Sequence, residues 1–207
     1  MIEVHTTPTA NGQKVHIMLA ETGLPHRLHV VDLQKGEHRA PSMLALNPIG
    51  KIPAIHDPDG PGGPISLGET GAICFYLADK AGMLGPQTPR EKAEFDYWAF
   101  AISASLATPF AMQFFFANLA PQRVDWAIET FEGGAYRTLG AFEERLASRP
   151  YLAGERFSVL DALLFPHLAT SATRLSRGLA PLPALGAYRD RVAARPRVAE
   201  AMGWLKT

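Results

Sequence analysis

The sequence predicts two domains, an α/β domain over residues 1–82 and an all-helical domain over 90–207. Strand and helix signals alternate through the first segment and finish in a hairpin, in the order β-α-β-α-β-β-α. That order packs as a small mixed sheet with helices on both sides. Beyond Gly82 the strand signal disappears. Gly85-Pro86-Gln87-Thr88-Pro89 has linker composition, so residues 83–89 are read as the connection.

Ile2 to His5 alternates weakly and opens the sheet. Thr6 to Gly12 is turn-forming and leads into a helix from Gly12 to Glu21 with Val15, Met18 and Leu19 on one face; Gly23-Leu24-Pro25 stops it. Arg27 to Leu33 reads as the second strand, and Pro41 suits the first turn of a short helix ending at Leu46. Lys51 to Ile55 is a short apolar run after Asn47-Pro48-Ile49-Gly50. Pro53 cannot donate to a ladder, so it marks an edge strand or a break. A hairpin loop over Asp57 to Pro64 and a strand over Ile65 to Leu67 follow, then a helix from Glu69 to Ala78 that offers Ala72, Phe75, Tyr76 and Ala78 for packing.

In the second segment Arg90 to Asn118 is helical in pattern, with a kink expected at Pro109. Phe131, Ala135, Leu139, Phe142 and Leu146 form an amphipathic stripe that ends at Arg149-Pro150. One helix is expected over Ser158 to Arg177, and two short ones over Ala184 to Ala194 and Arg197 to Leu205.

Twenty basic and twenty acidic side chains cancel. Such a balance argues against nucleic acid or an anionic membrane as a main partner. Cys74 is the only cysteine, so no intramolecular disulfide can form and a reducing cytosol fits. No basic-then-apolar leader opens the chain, and the most apolar run, Leu106 to Leu119, is short and broken by Pro109, Gln113 and Asn118. A cytoplasmic protein is expected.

Three motifs stand in order: Asn47-Pro48-Ile49-Gly50-Lys51-Ile52-Pro53, then Glu69-Thr70-Gly71-Ala72-Ile73 at a helix start, then Arg149-Pro150-Tyr151-Leu152-Ala153-Gly154-Glu155 leading to Phe157-Ser158 and Asp161. The last carries a capping-box spacing with a staple residue before it. In that order and spacing they resemble the glutathione transferase family over essentially the whole chain. The resemblance implies a thioredoxin-like N-terminal domain, an all-α helical-bundle C-terminal domain, a cis peptide at Pro53 and a homodimer. It also implies that the main chain of Ile52 pairs with the cysteinyl main chain of glutathione.

Glutathione carries an α-amino group, two carboxylates and a thiol. Glu69 suits the amino group; Thr70, with the amides of its helix N-terminus, suits the γ-glutamyl carboxylate. The plain alternative for both is ordinary helix-start chemistry. Lys51 and His38 are candidates for the glycyl carboxylate. Relatives of this type tend to carry Gln at the position of His38, where a histidine still donates and adds a pH dependence. For the thiol the family uses Tyr, Ser or Cys near the first helix, and Thr6 to Gly12 holds none of these. Thr9-Ala10-Asn11-Gly12-Gln13-Lys14 instead resembles the bacterial nu-class enzymes, which include glutathione disulfide-bond reductases. In that group the matching Thr and Asn hold the glutathione sulfur, which makes Thr9 and Asn11 the catalytic candidates. One good donor to a thiolate is worth about 1.5–3 kcal/mol, or one to two pKa units. Asn11 also suits a simple helix cap.

Cys74 lies within a helix without a second cysteine, so dithiol chemistry on the protein is excluded. The glycine-rich Gly60 to Gly63 lacks a following Lys-Ser/Thr and is a hairpin loop, and no metal-ligand spacing occurs. The expected function is a glutathione-dependent transferase, with glutathione as co-substrate and a small electrophile or disulfide as its partner. A glutathione-dependent disulfide reductase is the first alternative, and a non-catalytic binder of glutathione or a hydrophobic ligand the second.

Overall fold

The computed structural model describes residues 1–205. The chain divides into two compact units, Met1–Gly85 with 194–205, and Pro86–Ala193.

In the first unit the strands β1 (Ile2–Thr6), β2 (His26–Val30), β3 (Ala54–Asp57) and β4 (Ile65–Leu67) form one sheet in the order β2-β1-β3-β4. β1 and β2 are parallel, and β3 is antiparallel to both β1 and β4. This is the thioredoxin-like mixed sheet that the motif order implied. The strand expected at Lys51 begins only at Ala54, because Pro53 has no N–H to give the ladder; the Ile52–Pro53 peptide is cis. The strand is interior rather than at an edge. β2 ends at Val30 instead of Leu33, since Asp32 Oδ1 accepts from the amides of Gln34 and Lys35 and turns the chain.

Helix α1 (Ala10–Thr22) was expected to bury one face, yet every residue from Gly12 to Ala20 is buried. Its neighbours α3 (Thr70–Ala81) and α10 (Pro196–Gly203) both pack on it. α10 belongs to the segment expected within the helical domain; here it completes the first unit. Arg195 pairs with Glu21 through two hydrogen bonds of 2.8 Å, and Trp204 packs against the rings of His16 and His26. α3 buries Ile73, Cys74, Leu77 and Ala78, while Ala72 is exposed, so the packed face is turned from the one expected. α2 (Pro41–Leu46) places Met43 on Val31 and Ala54.

In the second unit α4 (Pro89–Phe100), a π-helical stretch Ala101–Leu106, α5 (Ala107–Phe114) and a second π-helical turn Phe115–Leu119 run on without a break. Pro109 leaves the Ser105 carbonyl without its helical donor, and the hydroxyl of Thr138 on α6 (Asp125–Leu146) donates to it at 3.1 Å. Gly134 on α6 faces the ring of Pro109. The 31-residue run Pro89–Leu119 is therefore continuous, and by length and composition alone it is long and apolar enough to cross a membrane. The expectation of a short, broken run is corrected on that point; Phe95, Ile102, Leu106 and Phe110 are among its buried residues, and α5 packs on α6.

The helix expected over Ser158 to Arg177 divides into α7 (Val159–Ala169) and α8 (Ser171–Arg174). Thr170 Oγ1 donates back to the carbonyls of Pro166 and His167, which bends the chain at that residue. α9 (Pro183–Ala193) completes the unit.

Candidate active site

Strand direction gathers the predicted residues at one end of the sheet. β1 and β2 both run toward that end, as Thr6 pairs with Val30. β3 starts there, with Ala54 opposite His5, and β4 finishes there, with Leu67 opposite Ile55. Thr9 and Asn11 thus follow β1, His38 follows β2, Ile52 and Pro53 precede β3, and Glu69 and Thr70 follow β4.

The Thr7 to Gly12 turn is fixed by close packing. A Cβ on Gly12 would lie 2.1 Å from the Thr7 carbonyl oxygen, so only glycine fits. Thr9 is the N-cap of α1: its Oγ1 accepts from the Gly12 amide at 3.2 Å, which leaves its own O–H free to donate. Capping thus belongs to Thr9. Asn11, expected as a possible cap, is exposed one residue inside the helix, and its Oδ1 accepts from Lys14 Nζ at 2.9 Å. A shallow cleft beside Thr9 is lined by Thr7, Pro8, Val30, Leu33 and Gln34.

Asn47 braces the second part of the site. It is 4 % exposed; its Nδ2 donates to the Lys51 carbonyl and its Oδ1 accepts from the Ile49 amide. Gly68 lies directly against that side chain, where a Cβ would come within 2.6 Å. The loop carrying Lys51, Ile52 and Pro53 is thereby tied to the turn carrying Glu69 and Thr70. Lys51 is exposed, Ile52 half-buried and Pro53 buried. His38 sits in a 3-10 turn, Glu37–Arg39, with its carbonyl near Gly50 and its Nδ1 buried without a partner.

Glu69 has φ 60° and ψ 118°, a conformation seldom adopted by a residue with a side chain, and it makes no capping bond. Backbone strain of this kind costs of order 1–3 kcal/mol and clusters at ligand sites. Glu69 stands at the N-terminus of α3 with its side chain exposed and making no cap, so what the ordinary helix-start reading keeps is the favourable position of a carboxylate there. Cys74, five residues on, is fully buried, and burial pushes its thiol up to about 12.

Lys14 is the residue that sequence reading passed over. It stands within the Thr9 to Lys14 motif, yet its burial depends on α3 and α10 covering α1, which no local pattern reveals.

Residues 10–80 match the glutathione S-transferase N-terminal domain and residues 107–196 the C-terminal domain. The chain is 36 % identical over 204 residues to the disulfide-bond oxidoreductase YfcG of Escherichia coli, covering 98 % of this chain and 94 % of that one. A glutathione transferase family member from Pseudomonas fluorescens, solved with two glutathione bound, superposes with a TM-score of 0.92 at 33 % identity, over 97 % of this chain and 92 % of its own. A glutathione transferase from Pseudomonas putida, solved with one glutathione disulfide bound per subunit, gives the same TM-score at 28 % identity, over 99 % and 92 %. With both halves matched and the similarity running nearly end to end, the chain belongs to the glutathione S-transferase family.

Proposed function

We propose that this protein is a glutathione-dependent enzyme in which Thr9 and Asn11 hold the glutathione sulfur as thiolate, and that its main substrate is a disulfide. The observation carrying the reading is the meeting of four strand ends at one end of the sheet, where Asn47 links the loop of Ile52 and Pro53 to the turn that carries the strained, exposed Glu69. In this reading Glu69 takes the α-amino group, and Thr70 with the first amides of α3 takes the γ-glutamyl carboxylate. The main chain of Ile52 pairs with the cysteinyl unit as an added strand, and Pro53 keeps that backbone outside the sheet. Lys51 and His38 take the glycyl carboxylate.

The thiolate attacks one sulfur of the substrate disulfide; a mixed disulfide forms and the other sulfur leaves as thiolate. A second glutathione thiolate attacks the glutathione sulfur of that mixed disulfide, giving glutathione disulfide and the fully reduced substrate. Two glutathione molecules are oxidised for each disulfide reduced, and no protein cysteine is needed. The naming of YfcG as a disulfide-bond oxidoreductase, and the glutathione pair and glutathione disulfide in the Pseudomonas structures, support the disulfide over carbon electrophiles. Transfer to an electrophilic carbon, with loss of a leaving group, is the second reading; the apolar side chains of Val30 and Leu33 beside Thr9 favour it.

Reduced glutathione as co-substrate fits a cytoplasmic enzyme. We also propose a homodimer: Tyr97 and Phe100, one turn apart on α4, and Trp126 at the start of α6 are each more than 60 % exposed, and a second copy would cover them.

Turnover of a small mixed disulfide is expected to exceed that of an aryl halide, and Thr9→Ala and Asn11→Ala should each lower the disulfide rate about tenfold or more. Full activity in both variants would refute the thiolate assignment. Calorimetry without binding at millimolar glutathione would refute the enzyme readings altogether, and binding without turnover would leave the non-catalytic one.

A further inference from the structure

Lys14 is 1 % exposed, within the stretch of α1 that is buried from Gly12 to Ala20. Its ammonium donates one hydrogen bond, to Asn11 Oδ1 at 2.9 Å. The other charged or titratable groups acting on it are Glu69 and Cys74, at the start of α3 and within it. On α10 Arg197 pairs with Glu200, and Arg195, which caps the start of that helix, is engaged by Glu21. A buried ammonium whose hydrogen-bond partner is one neutral amide is costly, and a methionine would avoid that cost.

We propose that Lys14 is a positioning residue for the glutathione thiolate, fixing the Asn11 carboxamide with its oxygen turned inward and its N–H groups toward the sulfur. This rests on the thiolate reading above. A free carboxamide can turn over and present its oxygen lone pairs to an anion, which repels it; an oxygen already bonded to an ammonium cannot. Burial lowers the Lys14 pKa to about 8, against the raising effects of Cys74 and Glu69, so the charged form prevails at neutral pH.

The test is the thiol pKa of bound glutathione, read from thiolate ultraviolet absorbance across a pH series at saturating glutathione. Lys14→Met is expected to raise that pKa by about one unit, a tenfold loss of thiolate at pH values below it. Lys14→Gln, which keeps an N–H donor for Asn11 Oδ1, should recover part of the shift. In an Asn11→Ala background, Lys14→Met should add little. Should Lys14→Met not fold, Asn11→Asp carries the test: it keeps a partner for Lys14 but offers the sulfur a carboxylate, and should raise the thiol pKa more than Asn11→Ala does. An unchanged thiol pKa in Lys14→Met, an equal shift with and without Asn11, or Asn11→Asp matching the wild type would each overturn the proposal. Absence of bound thiolate in the wild type would overturn it together with the thiolate reading. A normal wild-type thiolate with an unaffected Lys14→Met overturns it alone.

Discussion

Glu69, the residue proposed to take the glutathione amino group, carries backbone strain at the start of α3. At φ 60° a glycine is relaxed where a glutamate is strained. Glu69→Gly is therefore expected to raise thermal stability by about 1 kcal/mol, or roughly 2–4 °C, while glutathione affinity in calorimetry falls about tenfold or more. Loss of stability would show that the carboxylate serves the fold. Lys14 carries a burial cost that depends on pH. Its pKa falls from 10.5 to about 8 on folding. Between those values the unfolded chain holds more protons than the folded one, so the penalty for burying the ammonium is full below pH 8 and fades as pH rises to 10.5. The penalty is of order 3 kcal/mol. Urea unfolding should find Lys14→Met more stable than wild type at pH 7, with the gap narrowing toward pH 10.

Elements depend on a few bonds at their ends. The Asp161 carboxylate at the start of α7 accepts from the Leu152 amide, the Ser158 amide and hydroxyl, and the Tyr188 hydroxyl, all within 2.8–2.9 Å. Burial still raises its pKa to about 6, against those four donors, so holding the charge at neutral pH is itself a cost. Removing the carboxylate leaves four buried donors unmatched. Asp161→Ala should then cost about 3–5 kcal/mol, read from chemical denaturation. The start of α1 depends on shape instead. Gly12→Ala would press a methyl group into the Thr7 carbonyl, so it should destabilise the first unit and disturb Thr9 and Asn11 together; unchanged stability and thiol pKa would show that the turn can yield.

At the scale of the molecule, the first unit is built from both ends of the chain. Trp204 on His16 and His26, with Arg195 on Glu21, seals the helix that carries Asn11 and Lys14. Trp204→Ala should therefore cost about 2 kcal/mol in unfolding and raise glutathione KM, although Trp204 lies at the far end of the sequence from Thr9. Sedimentation equilibrium should give twice the chain mass if the proposed homodimer forms, and Trp126→Arg should shift it toward monomer.

Local pattern was enough for much of this. The alternation of strand and helix up to Gly82, the stripe through Leu139 and Phe142, and the cap at Ser158 depend only on neighbours in sequence. The motifs around Asn47, Glu69 and Thr9 were legible for the same reason, because turn chemistry and helix starts are short-range. Helix faces and ends were less so. The packed side of α3 depends on what covers it, and the break at Thr170 on which carbonyl its hydroxyl reaches. The sequence by itself determined the two-part architecture and named the residues proposed to hold glutathione. Only the tertiary structure decided that Lys14 is buried beneath Asn11, that Glu69 is strained, and that α10 closes the first unit. Burial and strain are set by distant segments meeting in space, and no local window contains both partners.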